Sequence, residues 1–361
     1  MDLLRFATAG SVDDGKSTLI GRLLHDSKTL FDDQLEAAAI TSARRGHDGV
    51  DLALITDGLR AEREQGITID VAYRYFATPT RTFIIADTPG HTQYTRNMVT
   101  GASTADLALV LVDARHGLQE QSRRHTCVAA TLGIRHLALI INKMDLVDWS
   151  ESVYDALAEE FVCFAGRLGF DDVVAVPVSA LLGDNVVDAS THMPWYAGPT
   201  LLEHLERVPV GVEGETLGAR LPVQYVIRPR PGSARDERRY AGTVAAGTLR
   251  PGDDVVALPS GRRTTITSID TFDGPLSVAE SGAAITVRLA DDLDVGRGDV
   301  LALADAPPAV VREVEAVVCW FGEKPLRAGD RVTIKHNTRT TRAVARDLVD
   351  HLDVNTLARH G

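Results

Sequence analysis

The sequence predicts an α/β domain built on a doubly wound, mostly parallel sheet, followed by an antiparallel β-barrel and a partial second β-barrel. Three observations predict it. The first two hundred residues alternate continuous apolar runs with helix-like stretches. Beyond Leu221 the runs become short and alternating, punctuated by Gly, Pro and Asp. After Ala306-Pro307-Pro308 a further set of alternating segments begins.

The apolar runs come in order. LLRFATA near the N-terminus, TFIIAD (82–87), DLALVLVDA (106–114), HLALIINK (136–143) and VVAVPVSA (173–180) are rich in Val, Ile and Leu. Such runs are buried on both faces, as parallel strands are. The stretch LQEQSRRHTCVAATLG (118–133) between two of them reads as a helix. GVEGETLG (211–218), glycine-rich and poor in large apolar residues, reads as the linker. QYVI, AGTVAAG, DDVVALPSG, TTITSID and AAITVRL follow as barrel strands, and EVEAVVCWF and RVTIKH as strands of the last unit. The expected domains are therefore 1–210, 219–305 and 307–361, the last stopping short of a whole barrel.

Composition excludes several classes. The chain has 361 residues, 44% hydrophobic and 24% charged, which is globular rather than disordered. No run of about 18 apolar residues occurs, so no membrane span is expected, and MDLLRFATAG lacks the basic start of a secretion signal. Cys127, Cys163 and Cys319 are widely spaced, against a disulfide framework or a zinc site, and a reducing cytoplasm is the expected location. A formal net charge of −12 speaks against a general binder of nucleic acid, so a phosphate ligand needs a local device.

That device is Gly10-Ser-Val-Asp-Asp-Gly15-Lys16-Ser17, a G-x-x-x-x-G-K-S loop between a strand and the helix STLIGRLL. Backbone N–H groups turn inward around phosphates at the positive end of a helix, so Asp13, Asp14 and Thr18 join the glycines in the binding set. Lys16 reaches the β- and γ-phosphates, and the Ser17 hydroxyl is a Mg²⁺ ligand. Asp87-Thr-Pro-Gly90-His91 follows the strand TFIIAD. Asp87 is placed to hold Mg²⁺ through water, Gly90 to offer its N–H to the γ-phosphate, and His91 to orient the attacking water. Upstream, Thr68 within EREQGITID can close on Mg²⁺ when the γ-phosphate is present, which makes a two-state loop. His91, Lys16 and Thr68 are the expected catalytic residues.

Asn142-Lys143-Met-Asp145 ends the strand HLALIINK. The Asp145 carboxylate can accept guanine N1–H and the 2-amino group together, and adenine would leave it unpaired. Lys143 lays its stem along the base and Asn142 fixes the loop. Ser179-Ala180-Leu181, after the last apolar run, brings a backbone N–H to guanine O6. The nucleotide is thus read as GTP with Mg²⁺. The Arg-rich stretch from Arg228 to Arg239 is broken by Asp236 and Glu237 and reads first as a solvated hairpin loop, second as a partner contact. His125 and His136 flank Cys127 at poor metal spacing and read as packing residues.

In order and spacing these motifs resemble the translation-factor class of P-loop GTPases. Within it, GSVDDGKSTLIGRLLHDSK (10–28), DGLRAEREQGITIDVAYRYF (57–76), IADTPGHTQYTRNMVTGASTADLA (85–108), INKMDLVDW (141–149) and SALLGDNVV (179–187) resemble the GTPase subunits of bacterial sulfate adenylyltransferase. That resemblance implies a separate ATP sulfurylase subunit as partner, in fused forms an adenylylsulfate kinase domain, and GTP hydrolysis driving uphill formation of adenylylsulfate from ATP and sulfate. It also implies that Val12 and Ile67 gate His91, and that Asp13 lies near a monovalent cation. Translation factors typically carry His where Asp14 stands. A delivery factor for aminoacyl-tRNA is the alternative, against which the acidity speaks; a GTP-dependent scaffold without hydrolysis is disfavoured by Asp87, Thr68 and His91 together.

Overall fold

The computed structural model describes residues 2–28, 42, 52–53, 70–91, 94–210, 218–228 and 238–361. Two compact units emerge, one of Met1–Val210 with Val317–Phe321 and Asp350–Gly361, the other of Gly211–Ala316 with Gly322–Val349.

The first unit is built on strands β1 (Asp2–Ala9), β2 (Ala72–Ala77), β3 (Arg81–Asp87), β4 (Leu107–Asp113), β5 (His136–Asn142) and β6 (Val173–Pro177). Their order in the sheet is β2-β3-β1-β4-β5-β6. All neighbours run parallel except β2, which lies antiparallel at the edge beside β3. The apolar runs become these strands because each buries side chains on both faces; all seven residues of β4 are buried. β2, half-exposed along AYRYFA, is an edge strand with no continuous apolar run.

Helices α1 (Lys16–Asp26), α2 (Thr95–Ala102), α3 (Glu120–Thr131), α4 (Glu151–Gly166) and α5 (Leu201–Arg207) cover both faces. Leu19, Ile20 and Leu23 of α1 and Leu201 and Leu205 of α5 pack with Phe6, Phe83, Leu109 and Ile140. Met98 of α2, Val128 of α3 and Phe161 of α4 pack on the opposite face with Ala7, Val110 and Leu139. Two helix starts are fixed by their own side chains. Ser150 Oγ accepts the Val153 N–H at 3.4 Å, and Thr200 and Glu203 exchange bonds in a capping box. A hairpin of β17 (His351–Leu352) and β18 (Arg359–His360) belongs to this unit, with Arg167 donating to Thr356 O at 2.7 Å.

Strand register matters most for function. Thr8 pairs with Asp87, Ala9 with Val110 and Asp113 with Asn142. The polar residues that end β3, β4 and β5 therefore stand side by side on one edge of the sheet, each at most 2% exposed. Ligands of open α/β sheets bind outside this carboxyl edge.

The second unit is an antiparallel sheet of β7 (Arg220–Pro222), β8 (Tyr225–Ile227), β9 (Arg239–Thr243), β10 (Asp254–Leu258), β11 (Arg262–Thr271), β12 (Gly274–Pro275), β13 (Ala284–Leu289) and β14 (Val300–Leu303). Its path is β7-β14-β10-β11-β13-β9-β8, with β12 beside β11. A bridge between Arg220 and Ala246 brings the first strand round to the chain after β9. Alternation in β13 and β9 sends Ile285, Val287, Leu289 and Tyr240 inward, and the Tyr240 hydroxyl donates to Leu293 O at 3.0 Å. Past Pro308 a hairpin of β15 (Arg331–His336) and β16 (Arg339–Val344) forms, but residues 313–321, expected as a strand, are irregular. Alternation of side chains does not make a strand unless a neighbouring backbone completes the ladder. Of the Arg-rich stretch, Arg238 and Arg239 face Asp292 and Asp270 at 3.5 and 3.6 Å, while residues 229–237 lie outside the described residues, as do the linker residues 211–217.

Among the described residues no helix is long and apolar enough to cross a membrane, and no group of His, Cys, Asp and Glu has metal-cluster spacing. The three cysteines are free.

Candidate functional site

The glycine-rich loop leaves β1 at Gly10 and enters α1 at Lys16. Its first bend is held by the Asp14 carboxylate, which accepts the Ser11 N–H at 2.5 Å. Burial pushes the Asp14 carboxyl up, with Ser11 and Lys16 opposing. Gly15 sits at φ +89°, a left-handed conformation that favours glycine, and an added Cβ there would fall on the Asn142 side-chain nitrogen. Ser17 and Thr18 follow in the first turn of α1, both half-buried.

Lys16 is 4% exposed and folds back over the loop, its Nζ donating to Gly10 O at 3.1 Å and Ser11 O at 2.6 Å. Burial lowers its pKa, while the charges of Asp87, Asp14 and Asp13 oppose that shift. Gly90 lies against it: a Cβ at Gly90 would land on Lys16 Nζ and within 2.8 Å of Gly10 O. The approach of the Asp87–Gly90 segment to the loop thus requires the missing side chain. Thr88 Oγ1 donates to Thr8 O, and Thr8 Oγ1 donates to Asp87 Oδ1 at 3.3 Å, which locks this segment onto β1. His91 is half-buried, its ring 5.8 Å from that of Tyr94. Val12 is 36% exposed. Thr68 and Ile67 lie outside the described residues.

On the other side of the loop, Asn142 is 2% exposed and joins three segments. Its Nδ2 donates to Asp14 O at 2.8 Å, and its Oδ1 accepts the Ala180 N–H at 3.0 Å. Lys143 follows at φ +65° and donates to Asp13 O. Asp145 sits half-buried in the 3₁₀ turn Met144–Val147. Ser179 is fully buried and its Oγ accepts the Leu182 N–H at 3.2 Å; Ala180 is 1% exposed and Leu181 points outward at 65%. The phosphate loop, the Asn142–Asp145 loop and the Ser179–Leu181 turn are thus one bonded assembly, with Asp87 and Gly90 on its opposite flank.

Three residues that local motifs do not mark complete it. Arg22 on α1 donates through Nε to Ala180 O at 3.1 Å and through Nη2 to Leu181 O. Asp113 ends β4 beside Asn142 and meets Lys143 at 2.8 Å. His125, expected as a packing residue, is fully buried on α3 and its Nδ1 accepts the Gly10 N–H at 3.0 Å. On its other side Nε2 lies 2.7 Å from the Gln121 side-chain nitrogen. A buried histidine two residues before a cysteine carried no signal in the sequence; a lone Asp closing an apolar strand did, since Asp87 and Asn142 close theirs in the same way.

Residues 1–210 match the family described as the elongation factor Tu GTP binding domain, and residues 240–302 match elongation factor Tu domain 2. The chain is 60% identical over 358 residues to the bifunctional enzyme CysN/CysC of Mycobacterium tuberculosis (strain H37Rv), covering 99% of this chain and 58% of that protein. It is 54% identical over 359 residues to sulfate adenylyltransferase subunit 1 of Shewanella oneidensis, covering 99% of this chain and 73% of that one. It therefore spans a little over half of the bifunctional relative and about three quarters of the subunit 1 relative. Among solved structures, the GTP-bound S. cerevisiae Ski7 GTPase-like domain shares the fold, with a TM-score of 0.54 and 16% identity over 99% of this chain and 88% of that one.

Burial, with Lys16 and Arg124 nearby, pushes the His125 pKa down to about 3 from an ordinary 6.5. Below pH 6.5 the unfolded chain takes up a proton that the folded chain refuses until about pH 3. Stability should therefore fall by roughly 1.4 kcal/mol per pH unit on that account. His125→Asn keeps an acceptor near Gly10 and does not titrate. Urea unfolding from pH 7 to pH 4.5 should lose this part of the slope in the variant; parallel curves would remove His125 from the account.

Proposed function

The chain belongs to the family of elongation-factor-Tu-like GTPases that includes sulfate adenylyltransferase subunit 1, and from that premise we propose that it is the GTP-binding and GTP-hydrolysing subunit of a sulfate adenylyltransferase. It couples GTP hydrolysis to formation of adenylylsulfate from ATP and sulfate by a partner ATP sulfurylase subunit. The observation that carries this reading is the bonded assembly of phosphate loop, Asn142–Asp145 loop and Ser179–Leu181 turn, in a chain 51–60% identical over nearly its whole length to such subunits. The elongation-factor reading is supported only by the class-wide domain matches. An adenylylsulfate kinase domain as a further partner is suggested by the CysN/CysC relative. Residues 1–210 act as the nucleotide domain, 219–305 as the barrel and 307–361 as part of a further barrel. The complex acts in the cytoplasm, without membrane or nucleic acid.

Each residue then has a task. Backbone N–H groups from Asp13 to Thr18 cradle the phosphates, those of Gly10 and Ser11 being bonded to His125 and Asp14, and Lys16 neutralises the β- and γ-oxygens. The Ser17 hydroxyl and the buried Asp87 carboxylate form a hard oxygen donor set beside the loop that fits Mg²⁺, with Thr68 joining when the γ-phosphate is present. Bound Mg²⁺ would offset charge on the phosphate oxygens. Gly90 offers its N–H to the γ-phosphate, and His91 holds the attacking water in line. Asp145 accepts N1–H and the 2-amino group of guanine, Lys143 covers the base, and the Ser179–Leu181 turn supplies the donor for O6.

Mixing the purified chain with a candidate ATP sulfurylase subunit should give a stable complex whose adenylylsulfate formation requires hydrolysable GTP. Retention of aminoacyl-tRNA, with no sulfurylase complex, would make the elongation-factor reading the better one. Asp145→Asn should move preference from guanine toward xanthine nucleotides in competition titrations, and unaltered preference would overturn its assignment. Single-turnover hydrolysis should slow by about 10²-fold or more in His91→Ala at unchanged GTP affinity, the scale of a lost water-positioning group; normal turnover would dismiss His91.

A further inference from the structure

Asp113 is a charged residue that the proposed chemistry does not use, yet it sits at the centre of the base-reading edge. It ends β4, its side chain is 1% exposed, and it pairs in register with Asn142. Three cationic or ionisable groups converge on it. Arg115 donates through Nε to Oδ1 at 3.0 Å and through Nη2 to Oδ2 at 2.6 Å; Lys143 Nζ lies 2.8 Å from Oδ2; His116 Nδ1 lies at 3.6 Å. The Arg115 N–H also donates to Oδ1 at 2.9 Å.

Burial would raise the Asp113 pKa, but the Arg115 and Lys143 hydrogen bonds outweigh it and hold the carboxyl well below the usual range. Those bonds favour the carboxylate form. Its consequence falls on Lys143. A lysine stem has four rotatable bonds, and fixing them costs conformational entropy. Here one end is pinned by the left-handed backbone at φ +65°, and the ammonium is shared between Asp113 Oδ2 and Asp13 O. The stem between those anchors is the part that would lie along the base.

We infer that Asp113 is a positioning residue for the nucleotide site, holding Lys143 in its base-covering conformation and tying the end of β4 to the phosphate loop through it. Arg115 is the clamp that keeps the Asp113 carboxylate turned toward Lys143: it takes both oxygens, yet leaves Oδ2 open to a second donor. Preorganising the lysine with protein groups removes an entropic cost from nucleotide binding. The effect therefore belongs to residence time rather than to base choice, which stays with Asp145. This inference rests on the reading of the site as a guanine nucleotide site.

The test is release of a fluorescent GDP analogue from the full chain, chased with excess GDP. Asp113→Asn should release it about 10- to 100-fold faster, the span of one lost charge-assisted hydrogen bond. Guanine preference over xanthine should be unchanged. Lys143→Met should release it at least as fast, and adding Asp113→Asn to that variant should accelerate release no further. A carboxylate needed only for folding would instead add its full effect in both backgrounds, and that outcome, or release at the unsubstituted rate in Asp113→Asn, overturns the inference. Should Asp113→Asn fail to fold by circular dichroism, Asp113→Glu carries the test: it keeps the charge but displaces it by one methylene, so faster release supports the inference and an equal rate contradicts it. If the unsubstituted chain binds no guanine nucleotide, the site reading itself falls, which is distinct from a normal rate in the Asp113 variants.

Discussion

The side-chain amide of Asn142 holds the carboxyl edge of the sheet together. It donates to the phosphate loop at Asp14 O and accepts from the turn at Ala180, using both ends of one planar group. Each bond alone contributes about 1 kcal/mol net. Their geometric effect is larger, because the two segments come from strands on either side of the sheet centre and otherwise share no backbone ladder. Gly15 follows from the same constraint: the amide nitrogen occupies the space where any Cβ would stand. The phosphate loop can therefore reach Asn142 only with glycine at that position.

The rest of the edge is a balance of buried charge. Lys16, Asp14, Asp87, Asp113 and Asn142 are each at most 4% exposed in a unit rich in acidic residues. A buried lysine is driven toward neutrality by desolvation, and the Asp87, Asp14 and Asp13 charges oppose this. A polyphosphate entering the loop would add negative charge next to Lys16, and its oxygens would need the backbone N–H groups and a cation to offset the carboxylates. Such a site is built for one kind of ligand. The register of the sheet produces it, since Thr8–Asp87 and Asp113–Asn142 pairing sets the polar strand ends at one level.

Much of this was legible in the residues. The phosphate loop, the Asp87–His91 segment and the Asn142–Asp145 loop are each short, so one window of sequence contains all the atoms that define them. Buried parallel strands declare themselves by continuous Val, Leu and Ile. What escaped was set by distance or by exposure. His125 acts on Gly10 across 115 positions, and Arg22 on Ala180 across 158, so no local pattern records either contact. β2 escaped because only Phe76 of its six residues is buried, and β7, β12 and β14 because strands of two to four residues lie below any periodic signal. The segment 313–321 misled in the opposite sense, since it alternates as a strand does but takes an irregular course.

The reading of this edge as a guanine nucleotide site turns on groups that adenine cannot satisfy. The direct measurement is isothermal titration of the purified chain with GTP and, separately, ATP, in the presence of Mg²⁺. GTP should bind at one site per chain and ATP at least about a hundredfold more weakly, because adenine leaves the Asp145 carboxylate unmatched. Binding of ATP within a few-fold of GTP would contradict the account.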